Sequence, residues 1–387
     1  MVYLRAMRVL VSTWPAHGCL LPLLPLIRAA QQAGHDVVVA SGAEGVAEAS
    51  RRGLPTWDIG PSRAQADAAF RARVPDLTAV PPEHRMTAVV SGIFGAAAFA
   101  RAAKLVPRAE HWKPDLVVHP ITELAGAVAA ARTGARHVVH GLGPLPAEAW
   151  DWFGARLGDL SREWEVPDLP ATILDTPYLD NCPPALQADA VRAFRNRRPL
   201  RPTSGEVLSG EHLPWDLNDL PYQRSVHLTL GTLSFGSTNV FQTALAGLRG
   251  LPLNVLVTAG PGSDPHRFGA QPANVRIADF APHALLLPRC AGLVTQGGAS
   301  TILAALCHGL PHLILPQGAD QFANGATAVR AGVALVLPPS ELNPAAVAHA
   351  ATKLLEDSAL TRTARTIQAE IGTMPAAEEV LSALLAG

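Results

Sequence analysis

The run Thr295-Gln296-Gly297-Gly298-Ala299-Ser300-Thr301, followed by Leu315-Pro316-Gln317 and then Asp320-Gln321, decides how the second half of this 387-residue chain is read. Gly292–Thr295 (GLVT) has the make-up of a buried strand, the paired glycines that of a tight turn, and the residues after them open a helix. His312–Leu315 (HLIL) is a second strand, with Asp320 and Gln321 at the head of the helix that follows it. A helix start carries about half a positive charge and unpaired N–H donors, so a phosphate is favoured there without any lysine. Gly297 and Gly298 let the backbone come close to such an anion, Ser300 and Thr301 are expected to cap the helix, and Asp320 and Gln321 can bond vicinal hydroxyls of a sugar. Taken alone, GGAST is equally well a plain strand–turn–helix, and Asp320 a plain N-cap.

Working outward, the same alternation recurs along the chain. Arg8–Thr13, Asp36–Ala40, Asp115–His119 and His137–His140 are strand candidates in the first half, with a helix over Leu20–Ala33. Ser225–Leu230, Asn254–Thr258 and Asn274–Ile277 belong to the second half, with helices at Asn239–Leu248, Ser300–His308, Gln321–Ala331 and Asn343–Leu355. Continuous apolar strands separated by helices predict parallel sheets covered on both faces. Length favours two domains. The Pro-, Gly- and Ser-rich run from Arg197 to Tyr222 breaks the rhythm, so the expected layout is residues 1–205, a linker at 206–222, and 223–387, with the last helix packing back on the first domain. In doubly wound domains ligands bind at the carboxyl ends of the strands, which directs attention to the strand-to-helix loops.

Composition narrows the function. A net charge of −1 leaves no electrostatic footprint for nucleic acid or an anionic membrane. Cys19, Cys182, Cys290 and Cys307 are scattered without zinc or disulfide spacing, and the first residues lack a signal-peptide pattern; both fit a cytoplasmic protein. The apolar stretch Thr87–Ala100, bounded by Arg85 and Arg101, is shorter than the roughly 20 residues a bilayer needs and reads as a core helix. His308 and His312 are separated by Gly309-Leu310-Pro311, which breaks any helix that would pair them on a metal. No G-x-G-x-x-G follows the first strand and no Walker motif occurs, which argues against dinucleotide or P-loop sites. Gly231-Thr232 follows another strand and offers further phosphate donors. Phe280-Ala281-Pro282-His283 offers an aromatic face and an edge group for a nucleobase. Trp150 and Trp152 are core residues by default, with an aromatic acceptor pocket as the alternative.

In this order, SVHLTLGTLSF and DFAPHALLLPRCAGLVTQGGASTILAALCHGLPHLILPQGADQFANG resemble the C-terminal half of family-1 glycosyltransferases of the GT-B fold, nearest to bacterial enzymes that glycosylate antibiotics. MRVLVSTWPAHGCLLPLLPLIRAAQQAGHDVVVASG, PDLVVHPITELAG and HVVHGLGP resemble their N-terminal half. The resemblance implies two Rossmann-like domains facing a cleft, the first for the acceptor and the second for the donor. It further implies inverting, metal-independent transfer of a deoxysugar from a TDP- or UDP-sugar to an aromatic or polyketide aglycone, with no resident cofactor. Donor contacts would come from Thr232, Phe280, His283, Gln296, Gly297, Gly298, Ser300, Thr301, Asp320 and Gln321. Oligomeric state is left open, with a homodimer or an auxiliary protein as the candidate partnership.

Three positions depart from the family pattern. Counting back from Pro22, the usual catalytic histidine is replaced by Cys19, with His17 two residues earlier. The usual aspartate after the fourth strand is missing from Val118-His119-Pro120-Ile121-Thr122-Glu123, where Pro120, His119 and Glu123 stand instead. Gln296 replaces the histidine that contacts the donor phosphate. The candidates for the base and its partner are therefore His17, Cys19, His119 and Glu123. His17 is equally readable as a loop residue and Glu123 as an early helix residue. A protein that has lost transfer and assists a partner enzyme is the rival expectation.

Overall fold

The computed structural model describes residues 5–76, 79–80, 87–231, 238–260 and 262–386. Its Val-, Leu- and Ile-rich runs form strands that pair parallel throughout. In one unit, β1 (Arg8–Ser12), β2 (Asp36–Ser41), β3 (Thr56–Asp58), β4 (Leu116–Pro120), β5 (Arg136–His140), β6 (Tyr178–Asp180) and β7 (Arg197–Pro199) form a seven-stranded sheet ordered β3-β2-β1-β4-β5-β6-β7. Val9 pairs with Val37 on one side and Leu116 on the other, so β1 is central. Leu10, Val117 and Val139 pack into one layer of helices and Val9, Val11 and Val118 into the other, which is why these strands carry no polar alternation.

The second unit holds β8 (Ser225–Thr229), β9 (Asn254–Thr258), β10 (Val275–Ala278), β11 (Gly292–Thr295), β12 (His312–Ile314) and β13 (Ala334–Val336), ordered β10-β9-β8-β11-β12-β13. Each sheet reverses its strand order at its first strand, β1 or β8, which is where adjacent loops diverge and leave room for a ligand. By contacts the first unit comprises residues up to Cys182, Ala188–Arg201 and Pro375 onward, and the second Pro183–Gln187 and Pro202–Met374. Residues 206–222 are part of the second unit, where Leu213, Trp215, Leu217 and Leu220 pack against Leu256, Ala281 and Leu286. Helix Ala377–Ala386 belongs to the first, setting Val380, Leu381 and Leu384 in one cluster with Leu24 and Ile27.

Several elements differ from the sequence expectation. Strands β3, β6, β7 and β13 are only three residues long, too short to show a period. β7 opens the Pro-rich run, and Pro199 is tolerated because an edge strand leaves one side unpaired. The helix expected over Leu20–Ala33 is split into His17–Leu20, a 3₁₀ turn at Leu21–Leu23 and Leu24–Gln32, since Pro22 and Pro25 each lack an N–H. The apolar stretch Thr87–Ala100 continues through a π-helical turn, Val90–Gly95, to Trp112; its 26 residues are enough by length and composition alone to cross a membrane. Ala98, Ala102, Leu105, Val106 and Ala109 of this segment nonetheless lie in the first unit's core with Val117 and Val128. Arg101 does not bound it but sits inside it, 1% exposed. Trp150 and Trp152 pack on the same core, Trp150 edge-on to Phe194.

Both units bury neutral histidines. Burial pulls His119 and His140 down to about 4, and His227 and His312 to about 3. Each folded value lies below the ordinary 6.5, so the unfolded chain takes up protons that the folded chain refuses. Stability is therefore full above about pH 6.5 and falls as pH drops towards about 4, by at most about 3 kcal/mol for each histidine. Urea unfolding at a series of pH values should show this loss; equal stability at about pH 7.5 and about pH 4.5 would contradict it.

Candidate active site

Strands β8, β11 and β12 lie side by side, and their carboxyl ends bring three loops of the second unit together. Gly231, after β8, has φ +68°, and a Cβ there would overlap the Gln296 amide. Gly297 has φ +95°, and a Cβ would stand 2.8 Å from Ile314 Cγ2. Glycine is required at both, for handedness and for space. Gln296 is buried, and its Oε1 accepts from Thr295 Oγ1 at 2.9 Å, which turns the amide nitrogen towards Gly231. The N-cap of helix Ala299–Leu306 is Gly298, with no side-chain cap, so Ser300 and Thr301 lie within the first turn and do not cap it. The cap residue itself therefore offers no side chain to the first N–H groups of the helix, the arrangement an anion needs. Thr232 lies outside the described residues.

The loop after β12 closes on itself. Gln321 Oε1 accepts from the N–H of Gln317 at 2.8 Å and of Gly318 at 3.1 Å, so only its amide nitrogen is left to bond a sugar. Ala319 holds φ +54°, a strained value for a residue with a Cβ. Asp320 heads helix Gln321–Arg330 without capping it; burial raises its carboxyl above the ordinary range, partly countered by Asn324. Asn324 Nδ2 donates to Asp320 Oδ2 at 2.8 Å and to the Gly297 carbonyl at 3.0 Å. One amide thus ties Asp320 to the Gly297 turn. Phe280 is 37% exposed, as a stacking face requires, whereas His283 turns its ring edge-to-face onto buried His227, 5.4 Å away. Burial, with His308 nearby, brings His283 to about 4, so it is a neutral group.

In the first unit the four base candidates separate. His119 is fully buried, with Nδ1 on the Pro120 carbonyl at 2.9 Å and Nε2 on His137 Nε2 at 2.7 Å, so no ring nitrogen faces a substrate. Glu123 is buried too, its Oε2 2.6 Å from Arg101 Nη2. The same guanidinium donates to the carbonyls of Thr13 at 2.8 Å and Gly60 at 3.3 Å. His119 and Glu123 are thus removed as a base and its partner, since both are enclosed and committed. Cys19 is half-buried with Sγ 3.9 Å from Thr122 Oγ1. His17 opens the short helix His17–Leu20, its side chain 31% exposed, with Nε2 3.6 Å from Glu48 Oε2. Burial raises the Glu48 carboxyl, but His17, Arg51 and Arg52 around it outweigh that and hold it at about 2. Among the described residues no group of three His, Cys, Asp or Glu side chains is clustered for a metal.

Residues 28–231 match the N-terminal domain family, and residues 245–386 the C-terminal domain family, described as erythromycin biosynthesis protein CIII-like. The elloramycin glycosyltransferase of Streptomyces olivaceus is 30% identical over 98% of this chain and 97% of its own. This chain is a glycosyltransferase of that family. The L-demethylnoviosyl transferase of Streptomyces niveus is 32% identical over 86% of the chain and 85% of its own length. A Streptomyces glycosyltransferase solved with thymidine diphosphate superposes with a TM-score of 0.80 at 25% identity, covering 98% of this chain and 100% of that one. The fold is GT-B, and the enzyme belongs to the natural-product branch of family 1.

Sequence reasoning missed two residues of this transferase. Asn324 was signalled by its place four residues after Asp320, where helical side chains meet. Glu48 carries no local signal, because only packing brings its helix, Ala43–Arg51, beside His17. Asn324→Ala removes one neutral and one charge-assisted hydrogen bond from within the fold, which should lower folding stability by about 2 to 4.5 kcal/mol, and the loosened loop should weaken thymidine diphosphate binding about tenfold. Calorimetric titration measures it; unchanged affinity would show that the brace does not shape the donor loop.

Proposed function

We propose that the enzyme moves a deoxysugar from a thymidine-diphosphate sugar to a hydroxyl of a small natural-product aglycone, with inversion, using the second unit for the donor and the first for the acceptor. The observation that carries this reading is the convergence of Gly231, Gln296–Gly298 and Asp320 at three adjacent strand ends, braced by Asn324. The diphosphate would lie against the Gly297-Gly298 turn and the start of helix Ala299–Leu306, whose N–H groups and dipole offset the charge that develops as it leaves. Gln296 adds a neutral donor, worth about 0.5–1.5 kcal/mol against about 1.5–3 for a charged one. Phe280 would stack on the base.

A sugar lacking hydroxyls suits the loop after β12. The Gln321 carbonyl and one oxygen of Asp320 are already committed, so few acceptors remain for a fully hydroxylated ring. His17 is the base candidate with solvent access, and it would take the acceptor proton as the oxygen attacks the anomeric carbon from the face opposite the leaving diphosphate. Its chain neighbours Ala16 and Cys19 join an apolar cluster with Trp14, Phe70, Ile93 and Phe94, the Trp14 and Phe94 ring centroids 4.8 Å apart. Apolar packing beside the base would favour a flat, apolar aglycone.

Calorimetric titration with thymidine and uridine diphosphates, paired with transfer assays over phenolic and alcoholic polyketide acceptors, tests the reading. Thymidine diphosphate should bind more tightly, and product should carry the inverted anomeric configuration. His17→Ala should lower turnover about 10²- to 10⁴-fold with nucleotide affinity intact. Tight nucleotide binding without turnover on any acceptor would point instead to an auxiliary role.

A further inference from the structure

With His119 enclosed and Glu123 held by Arg101, the loop after β4 presents His17 with no carboxylate, and Thr122 turns its hydroxyl to Cys19. Among the described residues, the carboxylate beside His17 comes from a different element. Glu48, on helix Ala43–Arg51, is 8% exposed and sets Oε2 3.6 Å from His17 Nε2. Its other oxygen, Oε1, accepts from Arg51 Nη2 at 3.0 Å and Arg52 Nε at 3.0 Å, while Arg51 Nε also reaches Oε2 at 3.2 Å. Arg51, at the end of the helix, and Arg52, its C-cap, therefore fix the carboxylate's rotation and keep it ionised, with one oxygen edge turned to the imidazole.

We propose that Glu48 is the positioning residue for His17, a carboxylate supplied from the helix after β2 in place of one on the loop after β4. The inference rests on the reading of His17 as the base. The Glu48 carboxylate, 3.6 Å from Nε2, favours the proton there and so the tautomer whose Nδ1 is free of a proton. In the transfer step the acceptor O–H proton passes to Nδ1 and the oxygen bonds to the anomeric carbon. The bond from that carbon to the diphosphate oxygen breaks, its electron pair leaving with the nucleoside diphosphate. The imidazolium then sits against Glu48 until water removes the proton. Arg51 and Arg52 share Glu48, Arg28 from helix Leu24–Gln32 donates to the Arg52 carbonyl at 3.0 Å, and Cys19 lies by Thr122. Glu44, on Glu48's own helix, accepts from the N–H of Arg63 at 3.0 Å.

The test is an NMR titration of the His17 ring, assigned by its loss in His17→Ala, in the wild type, Glu48→Gln and Glu48→Asp. In Glu48→Gln the midpoint should move to lower pH, because the anion is gone and two arginines remain. The acidic limb of the kcat/KM profile should move with it. Turnover should fall about 10- to 100-fold on alcohol acceptors and less on acidic phenols, with KM for the donor unchanged. Glu48→Asp keeps the charge that Arg52 needs and should give intermediate shifts, so a Glu48→Gln protein that does not fold still leaves the proposal testable. A folded variant with an unmoved His17 midpoint overturns it, even if melting temperature drops. Full transfer by His17→Ala would instead remove the base reading, whatever the titration shows.

Discussion

Arg101 carries a full charge into the first unit at 1% exposure, and three strand-end loops are arranged around it. Stripping water from a guanidinium costs several kcal/mol, which is offset only when the partner geometry is close. Glu123 supplies the counter-charge and the carbonyls of Thr13 and Gly60 take further donors, while the Trp14 ring lies 5.6 Å from the guanidinium. The loop that begins at Thr13 and leads to His17 and Cys19 is thereby anchored to the loops after β3 and β4. The same contact withdraws Glu123 from solvent and from chemistry.

The two reactive ends of the enzyme solve charge differently. In the first unit ionised groups are paired and enclosed, leaving the His17 side chain partly exposed beside a carboxylate held by two arginines. In the second unit the loops after β8 and β11 present neutral dipoles, a Gln296 amide, glycine turns and a helix start, with Asn324 bridging 2.8 and 3.0 Å contacts. Oriented dipoles of this kind need rigidity more than charge, because their worth depends on staying aimed while the leaving group forms. The closed hydrogen bonds of Gln321 to Gln317 and Gly318 serve the same end.

The fold was legible because its signals are local. Apolar runs such as Val37–Ala40 and Leu293–Thr295 announce buried parallel strands, and Gly297-Gly298 announces the turn after β11. What escaped has physical reasons. Three-residue strands carry no period, and Gly298 holds the cap position where a Cβ would stand 3.3 Å from Gln296 Nε2, a closeness that spacing does not reveal. Arg101 looked like the end of an apolar helix, since a charge inside one is costly until its partners, far away in sequence, are known. Glu48 stayed hidden for the same cause: its pairing with His17 is decided by how helices Ala43–Arg51 and His17–Leu20 pack, a tertiary fact with no counterpart in spacing.

Helix Ala377–Ala386 fills the face of the first sheet that also receives Leu24 and Ile27. On the ribosome that segment emerges only after every strand of the second unit. Until then the earlier-made half, the one bearing His17, holds a core with an open apolar side. The order of synthesis therefore runs opposite to the order of completion: the second unit can close first, and the half made first closes last.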